Sequence, residues 1–160
     1  MDNFNNGNNM NGAPNNMNGV PVYANMAPVG QLKTNRDLIK VILLSLVTLG
    51  IYGIVFYTCV GEDINAIASR YDGKKTMNYL IIVFLLSYLT LGIAPIVWMH
   101  KLSNRIGSEL NRRGINYSFS AGTFWGWNVL GSLIIVGPFV FLAKMCTAMN
   151  ELCAHYNVNG

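Results

Sequence analysis

A chain of 160 residues is enough for one ordinary domain. Lys and Arg total 11 and Asp and Glu 7, a net charge of +4, and only 11% of residues are charged while 52% are apolar. A typical soluble domain carries about 25% charge, so this composition argues against an ordinary soluble surface and for a chain that meets lipid.

Residues 1–30 come first and differ from the rest. Ten of the first 26 are Asn, Asp2 is the only charge, and no apolar period of 2 or 3.6 is present. Such a segment cannot bury enough surface to offset the entropy of ordering it, so a disordered Asn/Gly-rich tail is expected over 1–30. It lacks the basic start and continuous apolar run of a signal peptide.

A membrane domain is expected over 31–158, with transmembrane segments near 38–60, 79–99 and 124–143. The three runs are of similar length, and only Lys40 is charged within them. At 1.5 Å of helical rise per residue, each can reach about 30 Å, the thickness of a bilayer core. Trp125, Trp127 and Tyr79 at run starts and Trp98 near an end suit an aromatic belt.

The runs repeat. Residues 44–55 read LSLVTLGIYGIV and residues 86–97 read LSYLTLGIAPIV, identical at eight of 12 positions. A weaker third copy reads SLIIVGPFV from Ser132. The fold expected is therefore all-α and membrane-embedded, in three pseudo-repeated units of apolar helix, break and amphipathic helix. The breaks are marked by Gly50, Gly53, Gly92, Pro95, Gly137 and Pro138, residues that set backbone geometry. After each break, apolar residues recur at helical spacing: Val60, Ile64, Ile67 and Tyr71; Leu102, Ile106 and Leu110; Met145, Met149, Leu152 and Tyr156.

Two topologies fit these units. In one, each run is a single kinked span and the chain crosses three times. In the other, each unit is a helical hairpin that dips into the bilayer and returns on the same side. Alternating sides divides Lys and Arg 7 against 4, which places the N-terminus in the cytoplasm by the positive-inside rule. The similar post-break tails favour hairpins.

No catalytic, cofactor-binding or metal site is expected. Cys59, Cys146 and Cys153 show no C-x-x-C spacing and read as packing residues. His100 and His155 have no acidic or Cys partner in sequence. No carboxylate lies inside a run, which counts against proton-coupled transport. Glu62-Asp63 reads as a solvated face. No phosphate-binding Gly-rich loop and no basic face for nucleic acid is present. Arg112-Arg113 with Arg105 and Lys101 is the densest basic cluster and reads as a topology determinant.

The repeated L-S-x-x-T-L-G-I-Y-G-I core, preceded by Leu32-Lys33-Thr34-Asn35-Arg36, resembles DUF4234, a bacterial family of membrane domains of unknown function. Gly73 to Thr76 and Gly137-Pro138-Phe139 are similar to it too, while Ala94-Pro95 departs from the Tyr-Gly of unit one. The resemblance implies an integral protein of the bacterial plasma membrane. The expected function is a non-enzymatic scaffold or interaction protein, with lipid bilayer and a homo-oligomer or other membrane proteins as partners. The alternative is a small oligomeric transporter or channel, for which Thr48, Thr90, Ser45 and Ser87 supply the only polar stripe.

Overall fold

The computed structural model describes residues 27–160, so residues 1–26 of the expected tail lie outside the described residues. The described part is all-helical, and each apolar run is broken into two helices that fold back on each other. The first short leg is helix α1 (Leu38–Val47) and its long leg is α2 (Ile51–Asp72). Asp37 starts α1 by accepting from the Ile39 N–H at 3.1 Å. The helix stops because Leu49 and Gly50 take the left-handed conformation, with φ of 51° and 93°. The chain then reverses. Arg36, before α1, meets Asp63 in the middle of α2. Those residues are nearly equidistant from Gly50 in sequence, which only an antiparallel pair of legs allows.

Unit two repeats the plan. Its short leg joins two single α-turns, Tyr79–Ile81 and Ser87–Leu89, through a π-helical stretch, Ile82–Leu86. Its long leg is α3 (Ile93–Arg112). Leu91 and Gly92 have φ of 51° and 87°. The Trp98 indole donates to the Met77 carbonyl at 2.8 Å, and Arg105 reaches the Thr76 hydroxyl at 2.7 Å, again across the two legs. In unit three the short leg runs through Ala121–Thr123, a π-helical Phe124–Val129 and a tighter Leu130–Ile134. Its long leg is α4 (Gly137–Asn159). Phe124 and Phe141 pack edge to face across these legs, 5.7 Å between centroids.

None of the described helices is long and apolar enough to cross a membrane. The runs near 38–60, 79–99 and 124–143, expected as transmembrane segments, are each divided into two legs by a reversal. The length of each run is the sum of two shorter legs, and the left-handed residues between the legs turn a break into a reversal.

The three long legs pack side by side through their amphipathic halves. Ile64, Ile67, Leu102, Ile106, Leu110, Met145, Met149 and Leu152 are all fully buried. Tyr71 alone among the expected face positions is half-buried. The legs run parallel, because their C-terminal ends meet. Arg113 at the end of α3 donates to the Ile67 carbonyl of α2 at 3.4 Å and to the Gly160 carbonyl after α4 at 3.0 Å. The Arg112 guanidinium lies 3.5 Å over the Tyr71 ring. From this junction each long leg runs about 30 Å of helix back to its break. All three breaks thus project from the same end of the bundle.

Residues 27–37 form an extended strap along α4. The Asn157 amide donates to the Leu32 carbonyl at 2.8 Å and accepts from the Leu32 N–H at 2.7 Å. Asn150, two turns earlier, treats Arg36 the same way, at 2.9 Å in both directions. A carboxamide offers one donor and one acceptor edge, so each Asn stands in for a neighbouring strand. Val29, inside the tail expected from sequence, donates to the Tyr156 hydroxyl at 3.1 Å. Contacts with α4 thus extend to Val29, within the segment expected as tail.

Candidate membrane-insertion face

The most apolar parts of the chain are the most exposed. Leu49, Leu91 and Leu133, one at each tip, are 95%, 93% and 85% exposed. Val47 and Ile51, Leu89 and Ile93, and Ile134 and Ile135 flank them and are also exposed. Soluble monomers rarely display contiguous apolar patches of this kind. The amphipathic halves are well buried, so this exposure marks the tip end of the bundle.

Charge is graded along the same axis. No charged residue lies between Lys40 and Glu62, between Lys75 and Lys101, or between Arg113 and Lys144. Lys40, Lys101 and Lys144 each sit two to three helical turns from their breaks at Gly50, Gly92 and Gly137. That is about 10–15 Å of helix. Half of a 30 Å hydrocarbon core is about 15 Å. The uncharged end is as deep as one leaflet.

The break residues differ in what they do. Gly50 and Gly92 are the left-handed caps from which α2 and α3 start, and an added Cβ at either would meet nothing within 4 Å. Gly53 lies in the first turn of α2, where a Cβ would stand 3.4 Å from the Ser45 hydroxyl of the opposite leg. Pro95 and Pro138 occupy the first turns of α3 and α4, where no helical N–H donor is needed. Gly137 is a true close contact: a Cβ there would lie 2.3 Å from the Trp127 carbonyl oxygen and from the Gly131 carbonyl carbon.

The repeated threonines close the tips. Thr48 Oγ1 donates to the Leu44 carbonyl at 2.7 Å and accepts from the Tyr52 N–H at 2.9 Å. Thr90 does the same with Leu86 and Ala94, at the same distances. The Gly50 and Gly92 N–H groups reach back to the Ser45 and Ser87 carbonyls at 2.7 and 2.8 Å. In units one and two, carbonyls at the end of the short leg and N–H groups at the start of the long leg are thereby paired within the tip.

At the opposite end the polar groups are knotted together. Glu109, buried, accepts from the Arg112 and Arg113 guanidiniums, both Nε atoms lying 3.0 Å from its carboxylate. Arg113 also donates to His155 Nδ1 at 3.0 Å. Arg donates only, so this ring nitrogen carries the lone pair. Burial and the neighbouring Arg113 and Arg112 charges hold the His155 pKa below its ordinary value. Arg105 binds Asp72, Asn65, Thr76, Ser69 and the Lys74 carbonyl, all within 3.0 Å. Burial raises the Asp72 pKa, but the Arg105 hydrogen bond and the Lys74 N–H outweigh it and leave the carboxyl below its usual range. At Asp63, burial outweighs the pull of Arg36 and pushes the carboxyl up. Asp63 is thus an internal partner of the strap, and only Glu62 of the pair is exposed. Arg105 and Arg113 likewise serve internal networks, with side chains 10% and 2% exposed.

The three thiols are unpaired, with Cys59 exposed and Cys146 and Cys153 buried. Among the described residues no three His, Cys, Asp or Glu side chains stand together as a metal site would need. His100 takes a hydrogen bond from the Trp125 indole at 3.0 Å, joining units two and three. Sequence reasoning missed the strap and the Arg113 junction. The spacing of Asn150 and Asn157, two turns apart on one helix face, is the signal that carried the first.

Residues 36–108 match the family model of a domain of unknown function. That family is DUF4234, the one the repeated core resembles. The match spans units one and two and ends in α3, short of unit three. No curated protein and no solved structure matches the chain.

Proposed function

We propose that this protein is a monotopic membrane scaffold, driving three apolar hairpin tips into one leaflet from one side. The observation that carries the reading is the placement of Leu49, Leu91 and Leu133, nearly fully exposed, at the same end of a parallel bundle. Each tip adds apolar area to the inserted face, and burial is worth roughly 25 cal/mol per Å². Tips in one leaflet displace lipid there and not in the other, so the inserted chain acts as a wedge. All eleven Lys and Arg then fall on the side of entry or at its interface. The positive-inside rule makes that side the cytoplasm. The channel reading is weaker here, because the Thr48 and Thr90 hydroxyls are already engaged with backbone.

The test is a single-cysteine scan in a variant whose three native cysteines are replaced. Probes at Leu49, Leu91 and Leu133 should be quenched by lipid-borne quenchers and shielded from water-soluble reagents on both sides. Probes at Lys75 and Asn116 should react from the same side. Reaction of Lys75 and Asn116 from opposite sides would establish alternating crossings and end the reading.

A further inference from the structure

A groove of about 970 Å³ runs along unit two between its short leg and α3. That is the size of sites that enclose a whole small ligand. Its two ends differ in chemistry. Toward the tip it is lined by Ile82, Leu86, Ile93 and Val97; toward the junction by Lys74, Lys75, Lys101 and Arg105. The change falls at Lys101, about 13 Å of helix from Gly92. On the insertion reading, that is the depth at which acyl chains give way to headgroups.

The charges in the groove do not balance internally. Five cations and two carboxylates line it. Asp72 is taken by Arg105 and Glu109 by Arg112. Lys74, Lys75 and Lys101 form no ion pair with a carboxylate among the described residues, and all three are exposed. Three ammonium groups at the top of an apolar channel complement one negative charge at the end of one hydrocarbon chain. The Trp98 ring, buried against Tyr79 at 4.6 Å between centroids, forms the groove's floor at the change of polarity.

We infer that this groove is a binding site for one anionic glycerophospholipid. An acyl chain lies against Ile82, Leu86, Ile93 and Val97, and the phosphate lies among Lys74, Lys75 and Lys101. The inference rests on one-sided insertion, since only that topology lets lipid enter the groove from the leaflet. A bound lipid would select anionic membranes and fill a gap between the legs that the chain itself leaves open.

The experiment uses the full chain carrying Trp125→Phe and Trp127→Phe, so that Trp98 is the only indole. The chain is reconstituted into phosphatidylcholine vesicles. Acyl-brominated phosphatidylglycerol or acyl-brominated phosphatidylcholine is then titrated in at equal mole fraction. Trp98 should be quenched saturably, at a mole fraction about tenfold lower for the anionic lipid. Lys75→Gln with Lys101→Gln should remove most of that preference, since both side chains are exposed and outside the internal networks. Val97→Phe, which fills the apolar half, should weaken quenching by both lipids. Soluble glycerol phosphate should not compete, which separates a lipid site from a free-phosphate site. Equal quenching by the two lipids, or a preference unchanged in the lysine variant, overturns the inference while vesicle flotation keeps the insertion reading. A chain that no longer floats with vesicles removes both.

Discussion

Thr48 and Thr90, at matching places in units one and two, each bridge two legs of a hairpin with the same pair of hydrogen bonds. In both, the hydroxyl donates to the carbonyl four residues back and accepts from the N–H four residues on, at 2.7 and 2.9 Å. A single hydroxyl thus satisfies one group from the end of the short leg and one from the start of the long leg. Leu follows each Thr and holds a left-handed φ of 51°, a conformation ordinary residues resist. The threonine supplies bonds that hold it there, and the leucine side chain is left exposed at the apex.

Thr48→Val and Thr90→Val should therefore each destabilise the protein by about 1–3 kcal/mol, because they keep the shape and remove a partner from two backbone groups. Thr→Ser at either position should cost much less. The two Val changes lie in separate hairpins and should add. Unfolding in mild detergent, followed by helicity, reads the difference; Val variants as stable as the parent would show that the hydroxyls are idle.

The glycines separate strain from crowding. Gly50→Ala meets no atom, so its cost is the left-handed backbone alone, about 1–2 kcal/mol. Gly137→Ala must push apart the legs of unit three, and Gly107→Ala places a Cβ 2.3 Å from the Phe119 carbonyl oxygen. Both should lose more than Gly50→Ala, and should lower accumulation in cells. A Gly50→Ala variant worse than either would mean that the tip, and not the close leg contact, limits folding.

Asn150 and Asn157 hold the strap by four hydrogen bonds that involve no other side chain. Asn157→Ala should free the strap near Leu32, and Asn150→Ala near Arg36. Limited trypsin digestion would then cut after Lys33 or Arg36 several times faster than in the parent, with the helical part intact. Unchanged digestion would mean that Arg36 and Asp63 suffice to hold the segment.

Much of the bundle was legible in the sequence, and the reasons are physical. The post-break faces carry apolar residues at spacings of three and four, and Ile64, Ile106 and Met149 are fully buried. The T-L-G repeat located two of the three reversals. The sense of the break was not legible, since a long apolar run has the same composition whether it is one span or two folded legs. Phe124–Val129 and Leu130–Ile134 depart from α-helical spacing, so unit three looked like a weak copy. The internal partners of the arginines were not legible, because charge density in sequence says nothing of direction: Arg113 is 2% exposed at the junction while Lys75 is exposed. The apolar face at the tips was legible as hydrophobicity but not as surface, because in water-soluble folds the same residues would be core.

The junction makes a pH prediction. His155 accepts the Arg113 N–H at Nδ1 and is therefore neutral in the folded state. Burial and the two arginines depress its pKa below the ordinary value of about 6.5 that it regains on unfolding. Between those two values the unfolded chain binds the extra proton, so stability rises with pH across that window and is lost as pH falls through it. Protonation also removes the lone pair that Arg113 uses and sets two cations together at the meeting point of α2, α3 and α4. The unfolding midpoint in detergent should thus drop as pH is lowered from 7 toward 5. His155→Gln, which can accept from Arg113 and cannot take a proton, should flatten that slope while leaving the pH 7 value near that of the parent. Asp72, held low by Arg105, adds a loss only below its unfolded carboxylate value of about 3.9, outside the range scanned. A slope that survives His155→Gln unchanged would assign the titration to another group and leave the Arg113–His155 bond without a part in it.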